Sequence, residues 1–209
     1  RRTFGKTLAI SALVATASAM LPVASFAFTA DELHAAPAIG DRTLGAKDAK
    51  VVIVEYASAT CPHCAAFHTS VFQELKKEFI DTGKVLFISR EFPLDDLALA
   101  GFMVARCVPE DKYFGMLDLI YEQQRTWAGQ NAKAELLKMA KLAGLSEADF
   151  ETCLKNEELA KGILQIRKDG SEKFGVDATP TLYINGKKME GAREIADFRK
   201  AIEEAASAS

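Results

Sequence analysis

Cys61-Pro62-His63-Cys64 follows closely on Val51-Val52-Ile53-Val54-Glu55-Tyr56, a run that is almost entirely β-branched. Such a run predicts a strand buried in the middle of a sheet. Pro62 suits the first turn of a helix, where its missing N–H is no loss. Phe67, Val71, Leu75 and Phe79 then recur every four residues, the spacing of a single amphipathic helix that ends at Gly83.

A Cys-x-x-Cys pair has two leading readings, a zinc knuckle and a redox couple. Structural zinc takes four ligands, usually from two such pairs, and the chain has no second one. His63 inside the loop and His68 on the following helix converge on one ion only awkwardly. A zinc or copper carrier therefore stands as the alternative of a different class. A redox couple needs only what is present, two cysteines opening a helix directly after a buried strand.

The thiolate is the nucleophile in that chemistry. Free N–H groups and the positive dipole end of the helix favour it at Cys61, and a charged His63 would add to this. A stabilised thiolate stabilises the reduced form, so the disulfide takes electrons more readily. Cys61 is expected to be the exposed attacking sulfur and Cys64 the buried resolving one. Glu55 is out of place on a central strand, because a buried charge is costly unless paired or neutral. It is either an edge or ion-pair residue, or a buried carboxyl that moves protons to and from Cys64.

Lys84 to Phe92 predicts a second strand, stopped by Pro93, so residues 51–93 read as strand, helix, strand. Residues 94–174 read as helical almost throughout, with Ser146-Glu147-Ala148-Asp149 a helix start and Gly175 a stop. Trp127, Met103 and Met116 read as core. Residues 175–209 return to strands. Thr181–Ile184 precedes Asn185-Gly186, a strong hairpin signal because both turn positions need positive φ. Lys187 to Glu190 is the expected edge strand, and a final helix carries Ile195, Phe198 and Ile202. Thr179-Pro180 enters this region where proline is usually a breaker. In this architecture it predicts a cis bond in a loop lying against Cys61, with backbone groups free to pair with an extended chain. The fold class is α/β, a thioredoxin fold with an inserted all-helical subdomain at 94–174.

Residues 1–27 read as an export signal: Arg1, Arg2 and Lys6, an uncharged stretch, then Ser25-Phe26-Ala27. An uncleaved membrane anchor is the rival, weakened by the Ala, Ser and Thr content. Arg1-Arg2-Thr3-Phe4-Gly5-Lys6 resembles a twin-arginine signal, with Gly5 where an apolar residue is usual, so the twin-arginine and Sec routes stay open. Without residues 1–27 the chain has 23 Lys+Arg against 29 Asp+Glu. That balance argues against nucleic acid or an anionic membrane as the main partner. Residues 28–50 read as a polar linker with at most one short element, and His34 as solvated. An oxidising compartment allows Cys107 and Cys153 to form a structural disulfide worth roughly 4 kcal/mol. Two buried free thiols are the alternative.

Taken together, Cys61-Pro62-His63-Cys64, Glu55, Thr179-Pro180 and the helical insertion resemble the DsbA family of periplasmic thiol oxidases, over residues 41–205. The resemblance implies a monomeric periplasmic enzyme that donates its disulfide to unfolded exported polypeptides through Cys61. It implies reoxidation by a quinone-linked, DsbB-like membrane thiol oxidase, and no cofactor beyond the Cys61–Cys64 disulfide. Thr179 stands where several family oxidases carry Val and resembles the isomerase-type relatives. A periplasmic isomerase or reductase is therefore the alternative within the fold. Those isomerases have a sizeable N-terminal domain, for which the stretch before the first strand is short.

Overall fold

The structure is a computed structural model that describes residues 28–189 and 194–208. The export-signal expectation for residues 1–27, and Glu190 at the end of the expected edge strand, lie outside the described residues.

Five strands form one sheet in the order β1-β3-β2-β4-β5. They are β1 (Arg42–Leu44), β2 (Val51–Ala57), β3 (Val85–Glu91), β4 (Thr181–Ile184) and β5 (Lys187–Lys188). β2 runs parallel to β3 and antiparallel to β4, so the β-branched run is indeed central. Side chains alternate across a strand, and both faces of β2 are covered. Val51, Ile53 and Glu55 face one way. There Val51 and Ile53 pack with Phe67, Phe72 and Ile202 from the helices that flank the sheet. Val54 and Tyr56 face the other way and pack with Leu33, Ile166 and Phe174. Asn185 (φ 45°) and Gly186 (φ 83°) make the β4–β5 turn with the positive φ values the sequence demands.

The helix expected from Phe67 to Phe79 is not continuous. It is α2 (Pro62–Thr69), a break at Ser70 (φ −129°, ψ −84°), α3 (Val71–Leu75) and a π-helical turn at Lys76–Ile80. The apolar spacing survives the break because each piece keeps the same side on the sheet. Thr69 and Ser70 hydroxyls both bond to carbonyls one turn back, the kind of side-chain competition that bends helices.

Residues 28–50 are more than the linker the composition suggested. α1 (Ala30–His34) opens with a capping box between Thr29 and Glu32, and β1 pairs antiparallel with β3. Two buried arginines hold the chain between them. Arg90 bonds to the Ala35 carbonyl, the Asp41 carboxylate and the Tyr56 hydroxyl. Arg106 bonds to the carbonyls of Ile39 and Gly40 and to Glu91. His34 is half-buried rather than solvated, with Nε2 enclosed.

Between β3 and β4 lie α4 (Asp96–Cys107), α5 (Tyr113–Glu122), α6 (Gln124–Trp127), α7 (Ala132–Leu142), α8 (Glu147–Leu154) and α9 (Glu157–Phe174). Trp127 is wholly buried and donates to the Ile120 carbonyl at 2.7 Å. Met103 and Met116 share its cluster. Cys107 at the end of α4 is disulfide-bonded to Cys153 on α8, 46 residues on. α9 returns across the sheet and comes so close at Gly170 that a Cβ there would sit 2.8 Å from the Tyr56 ring. The last helix, α10 (Ile195–Ala208), covers the same face as α2 and α3. No helix among the described residues is long and apolar enough to cross a membrane.

Candidate active site

Cys61 is the N-cap of α2 and Pro62 its first residue. The β2–α2 turn places Cys61 beneath the loop before β4, where its thiol donates to the Thr179 carbonyl at 3.3 Å. The Thr179–Pro180 bond is cis. Cys61 and Cys64 are both free thiols. Cys61 is less open than the sequence reading supposed, 6% exposed against 0% for Cys64, because the Thr179–Pro180 loop lies over it. It is still the more accessible sulfur of the two.

Opposite forces act on the two sulfurs. The Cys61 thiol is lowered to about 5, first by a hydrogen bond from the Cys64 thiol. Burial opposes this, and the Thr179 side chain and the backbone N–H groups of Cys64 and His63 add to the lowering. Burial drives Cys64 strongly upward, and the charge of Glu55 adds to it. The Ser58 N–H donates to it at 3.4 Å and pulls the other way. One proton therefore stays on Cys64 while Cys61 ionises, which is the asymmetry that a nucleophile and a resolving thiol require. His63 contributes its backbone N–H, while its imidazole is exposed beside the groove next to Thr179 and Pro180.

The Thr179 hydroxyl is buried and has no hydrogen-bond partner while Cys61 is protonated. The Thr179 side chain is among the groups that lower Cys61. In Thr179→Val the Cys61 thiolate loses a donor worth about 1.5–3 kcal/mol when the acceptor is charged. The thiol should rise by about one to two pH units, read by thiolate absorbance against pH. An unchanged titration midpoint would show that the Thr179 hydroxyl does not act on Cys61, leaving only its carbonyl contact.

Glu55 lies fully buried on β2, on the face that α2 covers. His68 Nε2 meets its carboxylate at 2.8 and 3.1 Å. His68 was considered in the sequence only as a metal ligand. The signal for its real place was its position four residues after Cys64, on the same side of one helix. With His68 engaged by Glu55 and His63 exposed, the two histidines of a local metal site point apart. Among the described residues no three of His, Cys, Asp or Glu gather as metal ligands.

Three further residues were not legible. Gln124 on α6 donates to the carbonyls of Ala59 and Cys61 at 2.9 and 3.0 Å. Thr60 donates to Asp95 at 2.8 Å, and Asp95 caps α4. The helical block thus holds the cysteine turn from two sides, through partners 63 and 35 residues away in sequence.

A Cys-x-x-Cys pair opening a helix after a central parallel strand, facing a cis-proline loop, defines a dithiol protein of thioredoxin fold. A thioredoxin family model matches residues 38–204, and the chain belongs to that superfamily as a DsbA-like member. The crystal structure of Wolbachia pipientis alpha-DsbA1 is similar with a TM-score of 0.79 and 30% identity, covering 86% of this chain and 97% of that one. A Rickettsia bellii relative, provisionally named protein-disulfide oxidoreductase, is 34% identical over 72% of this chain. The chain spans 59% of that relative's length. Disulfide bond formation protein D of Bacillus subtilis is 27% identical, over 83% of this chain and 81% of its own.

Proposed function

We propose that this chain is a thiol:disulfide oxidoreductase that introduces disulfides into exported polypeptides through Cys61. The observation that carries this is the split between the two sulfurs, with Cys61 an easily formed thiolate and Cys64 a proton-holding thiol. A substrate thiolate attacks Cys61 Sγ of the Cys61–Cys64 disulfide and forms a mixed disulfide there. The substrate's second thiol then displaces Cys61, which leaves as its stabilised thiolate. The leaving step is favoured in proportion to that stability.

A groove of about 590 Å³ runs from His63 and Phe67 past Thr179 and Pro180 to Leu182 and Met189. It can take an extended chain beside the sulfur, so unfolded polypeptide is the substrate class the site favours. Its rim carries both Asp177 and Lys188, paired at 3.2 Å, so it imposes no strong charge preference. The periplasmic location, the DsbB-like reoxidising partner and the monomeric state belong to this same reading. They are supported by the DsbA likeness and by the basic, then apolar, start of the sequence.

The test is the reduction potential of Cys61–Cys64 against glutathione. A value near about −120 mV, where DsbA itself stands, supports the disulfide donor, and one near about −270 mV supports a reductase. An intermediate value supports the isomerase alternative that Thr179 suggests. The pH dependence has a defined sign. The Cys61 thiol falls from 9.0 to about 5, so the extra stability of the reduced form is full above pH 9. It is lost as pH falls through about 5. Between those limits reduction takes up one proton, and the potential should drop by about 30 mV per pH unit, steepening to about 60 mV below pH 5. A slope of about 60 mV at neutral pH would show that Cys61 keeps its proton and would overturn the assignment.

A further inference from the structure

We infer that Gln124 is a positioning residue for the closing step of exchange. Its side-chain amide fixes the Cys61 backbone, so that the Cys61 sulfur stays within reach of Cys64 while it carries a substrate. The inference rests on the exchange reading above and adds to it a residue of the helical block.

Gln124 is 8% exposed, and its Nε2 donates twice, to the Ala59 carbonyl at 2.9 Å and to the Cys61 carbonyl at 3.0 Å. Both partners are acceptors, so the NH₂ end of the amide is the end that must face them. Ala59 is wholly buried, and the two carbonyls flank Thr60, whose side chain is itself held by Asp95. The remaining backbone bonds of Cys61 fix it further. Its N–H donates to the Ser58 carbonyl, and its carbonyl also accepts from the Ala65 N–H, each at 3.1 Å. Without the amide, two carbonyl oxygens would converge on one spot with no donor between them. A buried acceptor left unpaired is unfavourable, so the turn would relax and carry Cys61 with it.

Packing delivers the amide. Gln124 and Trp127 stand three residues apart on α6, and so share one side of it. Trp127 is fully buried, and Gly101 on α4 leaves room for it. A Cβ at Gly101 would lie 3.2 Å from the indole and 3.4 Å from the Ala59 side chain. α4, α6 and the turn before Cys61 therefore meet at Gly101, and that meeting sets the reach of Gln124.

The two steps of exchange make different demands. In the first, the Cys61 thiolate attacks a disulfide, a new S–S bond forms on Cys61 and one thiolate leaves. In the second, Cys64 loses its proton to solvent and attacks Cys61 Sγ. The Cys61–Cys64 bond forms and the second thiolate leaves. The first step depends on the Cys61 thiolate, which is favoured by the Cys64 thiol, the Thr179 side chain and the N–H groups of Cys64 and His63. Gln124 is not among these groups. The second step depends on where Cys61 stands relative to a sulfur sealed at 0% exposure. A misplacement of about 1 Å can cost on the order of a hundredfold in such a step. Opening of the disulfide by a substrate thiolate is the same step reversed and uses the same placement.

The test mixes reduced protein with rising concentrations of oxidised glutathione, quenches with acid and weighs the products by mass spectrometry. At low concentration the observed rate follows the attack of Cys61, and at high concentration it levels off at the rate of the Cys64 step. Gln124→Met keeps the length of the side chain and removes both donors. It should lower the plateau by at least about tenfold, leave the initial slope where it was, and let the Cys61–glutathione adduct build up. A loss of stability alone would lower the melting point and spare the plateau. Gln124→Glu aims acceptors at both carbonyls and should lower the plateau at least as far. A further measurement leaves position 124 unaltered. In Cys64→Ser carrying glutathione on Cys61, the Gln124 side-chain amide hydrogens should exchange with water as slowly as in the reduced protein. An unchanged plateau in Gln124→Met, a slope that falls as far as the plateau, or fast amide exchange in the adduct would each overturn the inference and leave the Cys61 chemistry standing. Failure of the unaltered protein to form any glutathione adduct on Cys61 would instead remove the exchange reading, and the inference with it.

Discussion

Cys61→Ser abolishes dithiol oxidation, and Cys64→Ser accumulates a mixed disulfide on Cys61 that goes no further. The first variant loses the disulfide itself, and a serine hydroxyl cannot take the sulfur's place as nucleophile or leaving group near neutral pH. The second keeps an accessible, ionised Cys61 that attacks a substrate disulfide, but removes the thiol that would release the adduct. The two outcomes differ because the structure treats the sulfurs differently. Cys61 receives the Cys64 thiol and two backbone N–H groups, whereas Cys64 is sealed at 0% exposure with Ser58 its main donor. Mass spectrometry of the protein after incubation with a disulfide peptide reads both results. Turnover surviving in Cys61→Ser, or an adduct on Cys64 in that variant, would sink the assignment of roles.

Arg106→Met destabilises the protein by about 3–5 kcal/mol, the usual cost of leaving one member of a buried ion pair alone. Glu91 is wholly buried and takes two bonds from the Arg106 guanidinium and one from the Tyr113 hydroxyl. Methionine fills the volume but supplies no charge. It also strips donors from the carbonyls of Ile39 and Gly40. For a domain of this size the melting point should fall on the order of 10 °C. Replacing both partners, Arg106→Met with Glu91→Gln, should cost less than Arg106→Met alone, since the uncompensated charge is then gone. Denaturant midpoints of the four proteins form the cycle that decides it. If the double variant falls as far as the sum of the singles, the pair is not the interaction being measured.

The sequence and the tertiary structure contributed different kinds of knowledge. Where the signal was local, reading along the chain was enough. The β-branched run before Cys61, Pro62 at a helix start and Asn185-Gly186 at a turn each express a constraint that neighbouring residues satisfy among themselves. The unbroken helix over Phe67–Phe79 was a local reading that failed, because the apolar period reports which side faces the core and is blind to a hydrogen-bond break at Ser70. The 28–50 segment failed for the opposite reason. Its own residues are polar and turn-rich, and its order comes from Arg90 and Arg106, guanidinium groups supplied by β3 and α4.

At the site the division is the same. The sequence alone determined the two cysteines, the helix they open, the misplaced carboxyl of Glu55 and the Thr179–Pro180 loop, since each breaks or fills a rule of its own element. It could not say that Gln124 clamps the cysteine turn, or that His68 is Glu55's partner. Those relations join residues 63 and 13 positions apart. Only packing of helix on sheet decides which distant polar groups lose water together, and groups that lose water together must find each other.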